Sequence, residues 1–310
     1  MNYQPLRLWT RTAFFTLFVL APPLDIFRLD LTRGNFILFG QDWTLGLAAF
    51  QSGEIGAVEA ALNLISRGFI PIALIIGLGV WVAWRYGRLY CGWLCPHFSV
   101  VEMINALMRR ASGKPSLWER EPLPQRQRDG TIITPARQYW LWTAFAILGF
   151  AFLWALSLLT YLLPPEMIYH NLLHGELTRN QALFLGVATL VLSLEFLLAR
   201  HLFCRFGCAI GLFQSLAWMA NNRALLVHFD RVRGAACKDC TQDCDHACPM
   251  RLNPRKSKRH MFTCTQCTRC VAACERVQAP GEGLLHWREG DAQDHKTAQQ
   301  APIHFIRRAK

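Results

Sequence analysis

The chain has 310 residues, of which 52% are hydrophobic and 17% are charged, and its formal net charge is +12. Soluble domains average about 25% charged residues, so this composition favours a membrane protein. The twelve cysteines are too unevenly placed for a disulfide framework of the kind found in small secreted domains, and the positive charge follows the membrane topology described below rather than a nucleic-acid-binding surface.

Four apolar stretches are long enough to cross a bilayer, which takes about 20 residues. They are Leu8–Phe27, Gly68–Trp84, Tyr139–Leu163 and Ala182–Ala199. The first leads into Pro22, Pro23 and Asp25 rather than into a small-residue cleavage site. We therefore interpret it as a retained helix and not as a cleaved signal peptide.

Basic residues are concentrated between Arg85 and Arg137 and again after the fourth stretch. The positive-inside rule therefore predicts that this loop, both termini and the C-terminal region face the cytoplasm. The expected location is the inner membrane of a bacterium, where some of these side chains contact anionic lipid headgroups.

The second and fourth stretches are followed by related motifs. The first motif is Cys91-Gly-Trp-Leu-Cys95-Pro and the second is Cys204-Arg-Phe-Gly-Cys208-Ala. Each continues into an amphipathic stretch, Phe98–Met108 or Leu212–Met219, which we expect to lie at the membrane interface. The membrane part is thus predicted to be two pseudo-repeats of two spans each.

If the two repeats pack side by side, the four thiols of Cys91, Cys95, Cys204 and Cys208 converge. Such a set would suit a third cluster, a soft metal ion or a pair of redox-active dithiols. The alternative is that these cysteines are small apolar residues at helix ends. Their repetition at the same place in both units favours a functional role.

The composition changes near Arg223, where apolar runs end and Cys, Lys, Arg and Asp become frequent. This change predicts a membrane domain over residues 1–222, a soluble domain over 223–288 and a polar tail over 289–310. The soluble domain contains two runs of four cysteines, and in two-cluster ferredoxins the fourth cysteine of each run binds the other cluster.

The runs therefore predict two 4Fe-4S clusters with crossed ligands. One is expected on Cys237, Cys240, Cys244 and Cys274, and the other on Cys264, Cys267, Cys270 and Cys248. Zinc is the alternative, but a tetrahedral zinc ion does not need a third close cysteine in each run.

Weaker candidates lie elsewhere in the chain. His170 and His174, four residues apart after the third stretch, would suit a quinol headgroup or a metal, or are polar residues at an interface. Glu195 lies inside the fourth stretch and is either a functional intramembrane carboxylate or a snorkelling side chain with Arg200 as its ion partner. His97 and His201 flank the paired cysteines.

These motifs together resemble the membrane-bound polyferredoxins. That family includes the NapH quinol dehydrogenase component of periplasmic nitrate reduction, the methylamine-utilisation ferredoxin-type protein, the cytochrome oxidase accessory protein CcoG and the C-terminal half of the regulator NosR. The resemblance covers nearly the whole chain and rests on Cys91-Gly-Trp-Leu-Cys95-Pro, on the pair Cys204 and Cys208, and on the eight-cysteine pattern. Ala209 replaces the proline that usually ends the second motif.

The resemblance implies an all-α membrane domain of four helices with a C-terminal, cytoplasmic, two-cluster ferredoxin-like α+β domain. It also implies electron transfer between the quinone pool or a cytosolic donor and a partner redox protein or metalloenzyme, with 4Fe-4S clusters and quinone as cofactors. The alternative implied by the accessory protein is a copper- or iron-reducing assembly factor for a respiratory metalloenzyme. A weaker alternative is a redox-sensing regulator.

Overall fold

The computed structural model describes residues 3–114, 116–119, 122–123, 132, 134–237, 240–278 and 281–290, so the predicted tail from 291 onward lies outside the described residues. The α-helices are α1 (Gln4–Leu20), α2 (Leu47–Gln51), α3 (Ala57–Asn63), α4 (Ile70–Tyr86), α5 (Leu89–Trp93), α6 (Pro96–Ser112), α7 (Tyr139–Thr160), α8 (Pro165–His174), α9 (Arg179–Leu194), α10 (Ala209–Met219), α11 (Asp243–Ala247) and α12 (Arg269–Gln278). The strands are β1 (Phe27–Asp30), β2 (Asn35–Leu38), β3 (Gln41–Trp43), β4 (Leu225–Phe229) and β5 (Leu285–Glu289).

Three helical stretches are long and apolar enough to cross a membrane. They run over Ala57–Tyr86, Tyr139–Thr160 and Arg179–Ala199 and contain most or all of the second, third and fourth predicted spans. The first stretch is continuous because a π-helical segment, Leu64–Phe69, joins α3 to α4. Its large apolar side chains point outward, as expected of a helix that faces lipid.

The first predicted span differs in its bounds. α1 ends at Leu20, and the chain then turns into a three-stranded antiparallel sheet with the order β1-β2-β3. The part of the predicted Leu8–Phe27 segment that follows Leu20 is therefore not helical. α1 has 17 residues and a buried Arg7, so it is not among the three candidate spans, and the count of four remains a prediction.

The two repeats have related structures around their cysteines. In the first, α4 leads through α5 into α6, with Pro96 at the first position of α6, where its missing N–H costs nothing. In the second, α9 continues through two π-helical segments, Glu195–Ala199 and Phe203–Gly207, into α10. π-helical turns are frequent at functional sites.

The amphipathic helix α6 is not a free interface helix. Its apolar side chains Val100, Val101, Ile104 and Met108 are buried against α7 and against Phe196 of the second repeat. The neighbouring spans thus cover the apolar face of the Phe98–Met108 segment, and its position at the membrane interface stays a prediction.

The C-terminal part is built on a two-stranded antiparallel sheet, in which β4 pairs with β5 and Val227 lies opposite Trp287. The two cysteine runs lie between these strands together with α11 and α12. β4 begins at Leu225, close to the composition change near Arg223. The structure is thus mostly helical, with a small α+β unit at the C-terminal end.

Candidate functional site

The eight cysteines of the C-terminal part form two groups in space. Cys237, Cys240, Cys244 and Cys274 line one small cavity. Cys248, Cys264, Cys267 and Cys270 line a second. We call these groups the distal set and the central set. Each contains three cysteines of one run and the last cysteine of the other, which is the crossed grouping that the sequence predicts.

The loops of the two runs have the geometry that a cluster requires. Gln266 and Thr268 flank Cys267 and have positive φ angles of 54° and 59°. Gln242, between Cys240 and Cys244, has φ 63°. Such angles are uncommon for residues other than glycine and curl the chain tightly around one point.

Backbone groups also face the sulfur atoms. The Leu252 amide donates to Cys248 Sγ at 3.4 Å, and the Leu284 amide donates to Cys274 Sγ at 3.3 Å. Hydrogen bonds to cluster sulfurs are one of the means by which proteins set reduction potentials. Four thiols with amide donors fit a 4Fe-4S cluster in each set, and such a cluster supplies one-electron chemistry.

Burial governs the acidity of these thiols. It raises the pKa of Cys248 to about 11, and it also raises the pKa values of Cys244, Cys264 and Cys270. Bare thiolates would therefore be costly here, and a coordinated metal is what removes such protons.

The four remaining cysteines face one another across the two repeats; we call them the junction set. Cys91 Sγ lies 3.4 Å from Gln214 Oε1 in α10 of the second repeat. Cys204 Sγ lies 3.6 Å from Nδ1 of His97, which follows Cys95 in the first repeat. Each repeat thus supplies a side chain that contacts a thiol of the other repeat.

Burial and neighbouring thiols also change the acidity of the junction set. Burial, with the neighbouring Cys95 and Cys208, raises the pKa of Cys91 to about 12, although Arg88 opposes the rise. The pKa of Cys204 is also raised, mainly by burial and further by the nearby Cys95, Glu195, Cys91 and Cys208. The Gly211 amide donates to Cys208 Sγ at 3.5 Å. The structure therefore brings Cys95 and Cys204 of the two pairs against one buried cluster, and a common site for all four cysteines stays a prediction.

The central set is docked directly on the junction set. Gly92 lies between Cys91 and Cys95, and a Cβ atom placed on it would be only 2.0 Å from the Thr265 carbonyl oxygen. Trp93 Nε1 donates to the Gln266 carbonyl oxygen at 2.9 Å. Thr265 and Gln266 belong to the loop of the central set, so glycine is required at position 92 for the two loops to touch.

Apolar packing connects the three sets in a row. One buried cluster contains Cys248, with Cys264 of the central set and Cys95 and Cys204 of the junction set packed against it. A second buried cluster contains Cys244, Cys270 and Cys274, which joins the central set to the distal set. The order in space is therefore distal, central, junction.

Arg88 lies at the contact between the junction and central sets and is 1% exposed. Its Nη1 donates to the Cys204 carbonyl oxygen at 2.7 Å, and its Nε donates to Ser215 Oγ at 2.5 Å. Ser215 in turn donates to the Phe262 carbonyl oxygen at 2.6 Å. Burial lowers the Arg88 pKa, while Cys91, Cys208, Cys204 and Cys264 raise it. The role of Arg88 was not predicted, because in the sequence Arg88 looks like the other basic residues that the positive-inside rule explains.

Glu102 of α6 is buried among three arginines. Its carboxylate accepts from Arg7 at 2.7 Å, from Arg269 at 3.2 Å and from Arg11. Burial alone would raise the Glu102 pKa, but Arg7, Arg11 and Arg269 outweigh it and lower the pKa. Arg269 precedes Cys270, so this ion cluster joins α1 and α6 to the central set.

A cavity of about 410 Å³ opens beside this ion cluster. Its apolar walls are formed by Leu8, Phe15, Val100, Met103 and Phe150, and its polar groups by Arg11, Thr12, Ser99, Glu102 and Arg269. Apolar walls with a few convergent polar groups are typical of ligand sites, and this volume lies within their usual range. α1 connects the cavity to the central set, because Gln4 Nε2 donates to the Cys267 carbonyl oxygen at 3.0 Å.

The structure gives Glu195 a different ion partner from the expected one and places His201 in a buried position. Glu195 Oε2 pairs with His97 Nε2 at 2.9 Å, whereas Arg200 Nη1 donates to Asn105 Oδ1 at 3.2 Å. The expected Arg200 partner was thus replaced by His97, which also contacts Cys204. His201 is buried, and burial together with neighbouring arginines lowers its pKa to about 4.

His170 and His174 contact each other, with 3.0 Å between their Nδ1 atoms. Among the residues that the structure describes, no three His, Cys, Asp or Glu side chains are arranged to bind a single metal ion. The histidine pair therefore has no third ligand within that part of the chain.

Comparison with known proteins supports an iron–sulfur function. The 4Fe-4S binding domain family matches residues 68–115 and 180–225. These are the two halves of the internal repeat, and each contains one pair of the junction set. No solved structure is similar to this chain.

Three curated proteins are similar to most of this chain. The putative electron transport protein YccM of Escherichia coli is 25% identical over 72% of this chain, which spans 56% of YccM's length. The methylamine utilization ferredoxin-type protein MauN of Methylorubrum extorquens is 26% identical over 77% of this chain and 72% of MauN. An uncharacterized protein of Methanocaldococcus jannaschii is 24% identical over 88% of this chain and 93% of its own length.

Proposed function

Taking the chain as an iron–sulfur protein of ferredoxin type, related to YccM and MauN, we propose that it is a membrane-bound electron-transfer protein of the quinol dehydrogenase type. The observation that carries this proposal is the row of three thiol sets packed in the order distal, central and junction. Such a row connects the C-terminal part of the protein to its membrane helices. The distal and central sets each hold a 4Fe-4S cluster in this proposal.

The cavity beside Glu102 supports the quinol part of the proposal. Oxidation of a quinol releases two electrons and two protons, so its site needs one-electron acceptors nearby and polar groups that orient the headgroup. The Arg11 guanidinium offers N–H donors in this cavity, and Leu8, Phe15 and Phe150 offer apolar surface for a tail. Arg269 places the central set next to this cavity.

In the proposed arrangement four helices cross the bacterial inner membrane, namely α1 and the three candidate spans. The C-terminal part and both termini lie on the cytoplasmic side, as the distribution of basic residues predicts. The partner is a redox protein or metalloenzyme that exchanges electrons with this chain.

The test is reduction of the clusters by quinol. Full-length protein would be purified without oxygen in detergent, mixed with a short-chain quinol, and followed by the loss of visible absorbance of oxidised clusters. We expect reduction by quinol to the same end point as reduction by dithionite. Clusters that respond to dithionite but not to quinol would contradict the quinol part, and zinc in place of iron would contradict the whole proposal. Reduction of cupric ion by the reduced protein, with no quinol reaction, would favour the metal-reducing assembly factor.

A further inference from the structure

A second cavity, of about 330 Å³, also borders the arginines that pair with Glu102. Its walls come from α1 and α6 of the membrane part and from α11 and α12 of the C-terminal part, so it lies where the two parts meet. We call it the arginine cavity. Its volume lies within the usual range of ligand sites, and the proposed electron-transfer function gives it no occupant.

The lining of the arginine cavity carries an excess of positive charge. Asp243 is the one carboxylate among the described residues that line it, and Glu102 accepts hydrogen bonds from three of the lining arginines. Five positive charges against these two negative ones leave an excess of three. The five arginines are Arg7 and Arg11 from α1, Arg109 from α6, and Arg269 and Arg276 from α12.

Membrane topology alone does not explain this arrangement. The positive-inside rule accounts for frequent basic residues on one side of the membrane, but it does not require them to meet in one concave space. Like charges that are held together repel, and water screens the repulsion poorly where the groups are buried. Arg7 is 3% exposed. The excess charge therefore indicates a site that an anion completes.

The kind of basic residue indicates which anion. Guanidinium groups bind phosphate through paired N–H donors, and arginine is over-represented where such paired recognition matters. All five basic side chains that line the cavity, among the described residues, are arginines. They come from three helices, so a phosphate group between them would be held from more than one direction. Phosphate chemistry thus fits the lining.

Apolar side chains of α1 lie beside these arginines. Leu8 lines the cavity and is 63% exposed, and the adjacent Trp9 is 71% exposed. Tryptophan is enriched at the level of the lipid headgroups, and basic pockets on the cytoplasmic side of membrane helices bind anionic headgroups. In the proposed arrangement this end of α1 faces the cytoplasm, which places the cavity at headgroup level.

From these observations we infer that the arginine cavity binds the phosphate group of an anionic ligand, and that this anion ties α12 of the C-terminal part to α1 and α6. The exposed Leu8 and Trp9 favour the headgroup of an anionic phospholipid as its source. A soluble phosphate compound has the same binding chemistry. The inference goes beyond the proposed function, and its test needs neither quinol nor reduction of a cluster.

The first measurement is the affinity of the full-length protein, in a nonionic detergent, for phosphatidylglycerol, followed by native mass spectrometry. Phosphatidylcholine, which has no net charge, is the comparison lipid. We expect phosphatidylglycerol to bind more tightly. Arg109→Gln and Arg276→Gln should each weaken its binding by about fivefold, and Arg276→Lys should keep most of the affinity. Arg259→Gln is the matched control, because Arg259 is an exposed arginine of the C-terminal part that does not line the cavity.

The second measurement separates the two sources of phosphate. Thermal unfolding of delipidated protein would be followed with phosphatidylglycerol, with sodium pyrophosphate, and with sodium chloride at the same ionic strength. A higher unfolding temperature with phosphatidylglycerol alone identifies a lipid site, and a higher one with pyrophosphate alone identifies a soluble ligand. Either increase should shrink in Arg109→Gln and Arg276→Gln. No increase with either compound, or equal binding losses in Arg259→Gln and Arg276→Gln, would overturn the inference.

The two proposals fail separately. Tight binding of phosphatidylglycerol without reduction of the clusters by quinol would retain the phosphate site and remove the quinol function. Rapid reduction by quinol in a protein that binds neither phosphatidylglycerol nor pyrophosphate would do the opposite.

Discussion

Gly92 and Thr265 touch, although they lie in the membrane part and in the C-terminal part of the chain. A methyl group on Gly92 would lie 2.0 Å from the Thr265 carbonyl oxygen, a distance that side chains do not adopt. Because Gly92 lies between Cys91 and Cys95 and Thr265 follows Cys264, this contact fixes the spacing between two thiol sets.

Gly92→Ala should separate the junction and central sets. The added methyl must displace the Thr265 backbone, and overpacking of this kind costs about 1–3 kcal/mol. We expect a lower thermal unfolding temperature and slower reduction of the distal cluster by quinol, with reduction by dithionite preserved. The control is Gly77→Ala in α4, where no atom lies within 4 Å of the added methyl. Identical behaviour of the two variants would show that the contact is not needed.

Cys248→Ser should damage the cluster of the central set, although Cys248 belongs to the same run as Cys237, Cys240 and Cys244. The reason is that Cys248 lines the cavity of Cys264, Cys267 and Cys270. Cys274→Ser is the reciprocal variant and should damage the cluster of the distal set. Electron paramagnetic resonance and redox titration would resolve the two clusters. Loss of the distal cluster in Cys248→Ser would refute the crossed grouping.

Thr12→Trp should block the cavity beside Glu102. Thr12 lines this cavity, whereas the next residue, Ala13, is exposed and does not line it. We expect reduction by quinol to slow by about tenfold in Thr12→Trp, the effect of losing about 1.4 kcal/mol. Ala13→Trp is the matched control and should react at the natural rate. Stopped-flow absorbance measures both rates, and equal rates would place quinol elsewhere.

Glu102→Gln should strongly destabilise the protein. The substitution leaves Arg7 and Arg11 without their shared carboxylate, and loss of one partner of a buried ion cluster costs about 3–5 kcal/mol. Glu119→Gln is a suitable control, because the pair of Glu119 and Arg251 is partly exposed and such pairs contribute about 0–1 kcal/mol. Thermal unfolding in detergent at pH 7 would compare them. A similar loss in both variants would contradict the structural importance of Glu102.

Reporter fusions at Leu173 and Lys310 should lie on opposite sides of the membrane. Leu173 is in α8, and the candidate span Arg179–Ala199 separates it from the C-terminal part. Lys310 is expected in the cytoplasm, as the basic residues near it indicate. A phosphatase fusion active only at Leu173, with a fluorescent fusion active only at Lys310, is the expected result. Phosphatase activity at Lys310 would reverse the topology.

Much of the candidate site follows from spacing in the sequence. The crossed grouping could be predicted because the Cys-x2-Cys and Cys-x3-Cys pattern leaves few ways for short loops to close around a cubane. The convergence of Cys91 with Cys208 could be predicted from the internal repeat. Three apolar spans could be predicted because their length is set by the bilayer.

Other features depend on contacts between residues that are far apart in the chain, or on elements too short to give a recognisable pattern in the sequence. Strands β1, β2 and β3 have only three or four residues, too few for an alternating pattern to identify them. The pair of His97 and Glu195 joins residues 98 positions apart. Arg88 and Arg85 look alike in sequence, and only the packing of α10 and of the Thr265 loop shows that Arg88 alone is buried.

The contact of Gly92 with Thr265 also sets an order for biogenesis. The membrane part is synthesised first, so the Cys91–Cys95 loop is in place before the Cys264–Cys270 loop leaves the ribosome. Docking of that later loop covers both thiol sets at once. In the proposed function, iron is therefore delivered to the central set before docking is complete, and the cellular machinery that loads it acts at the membrane surface on a half-assembled chain.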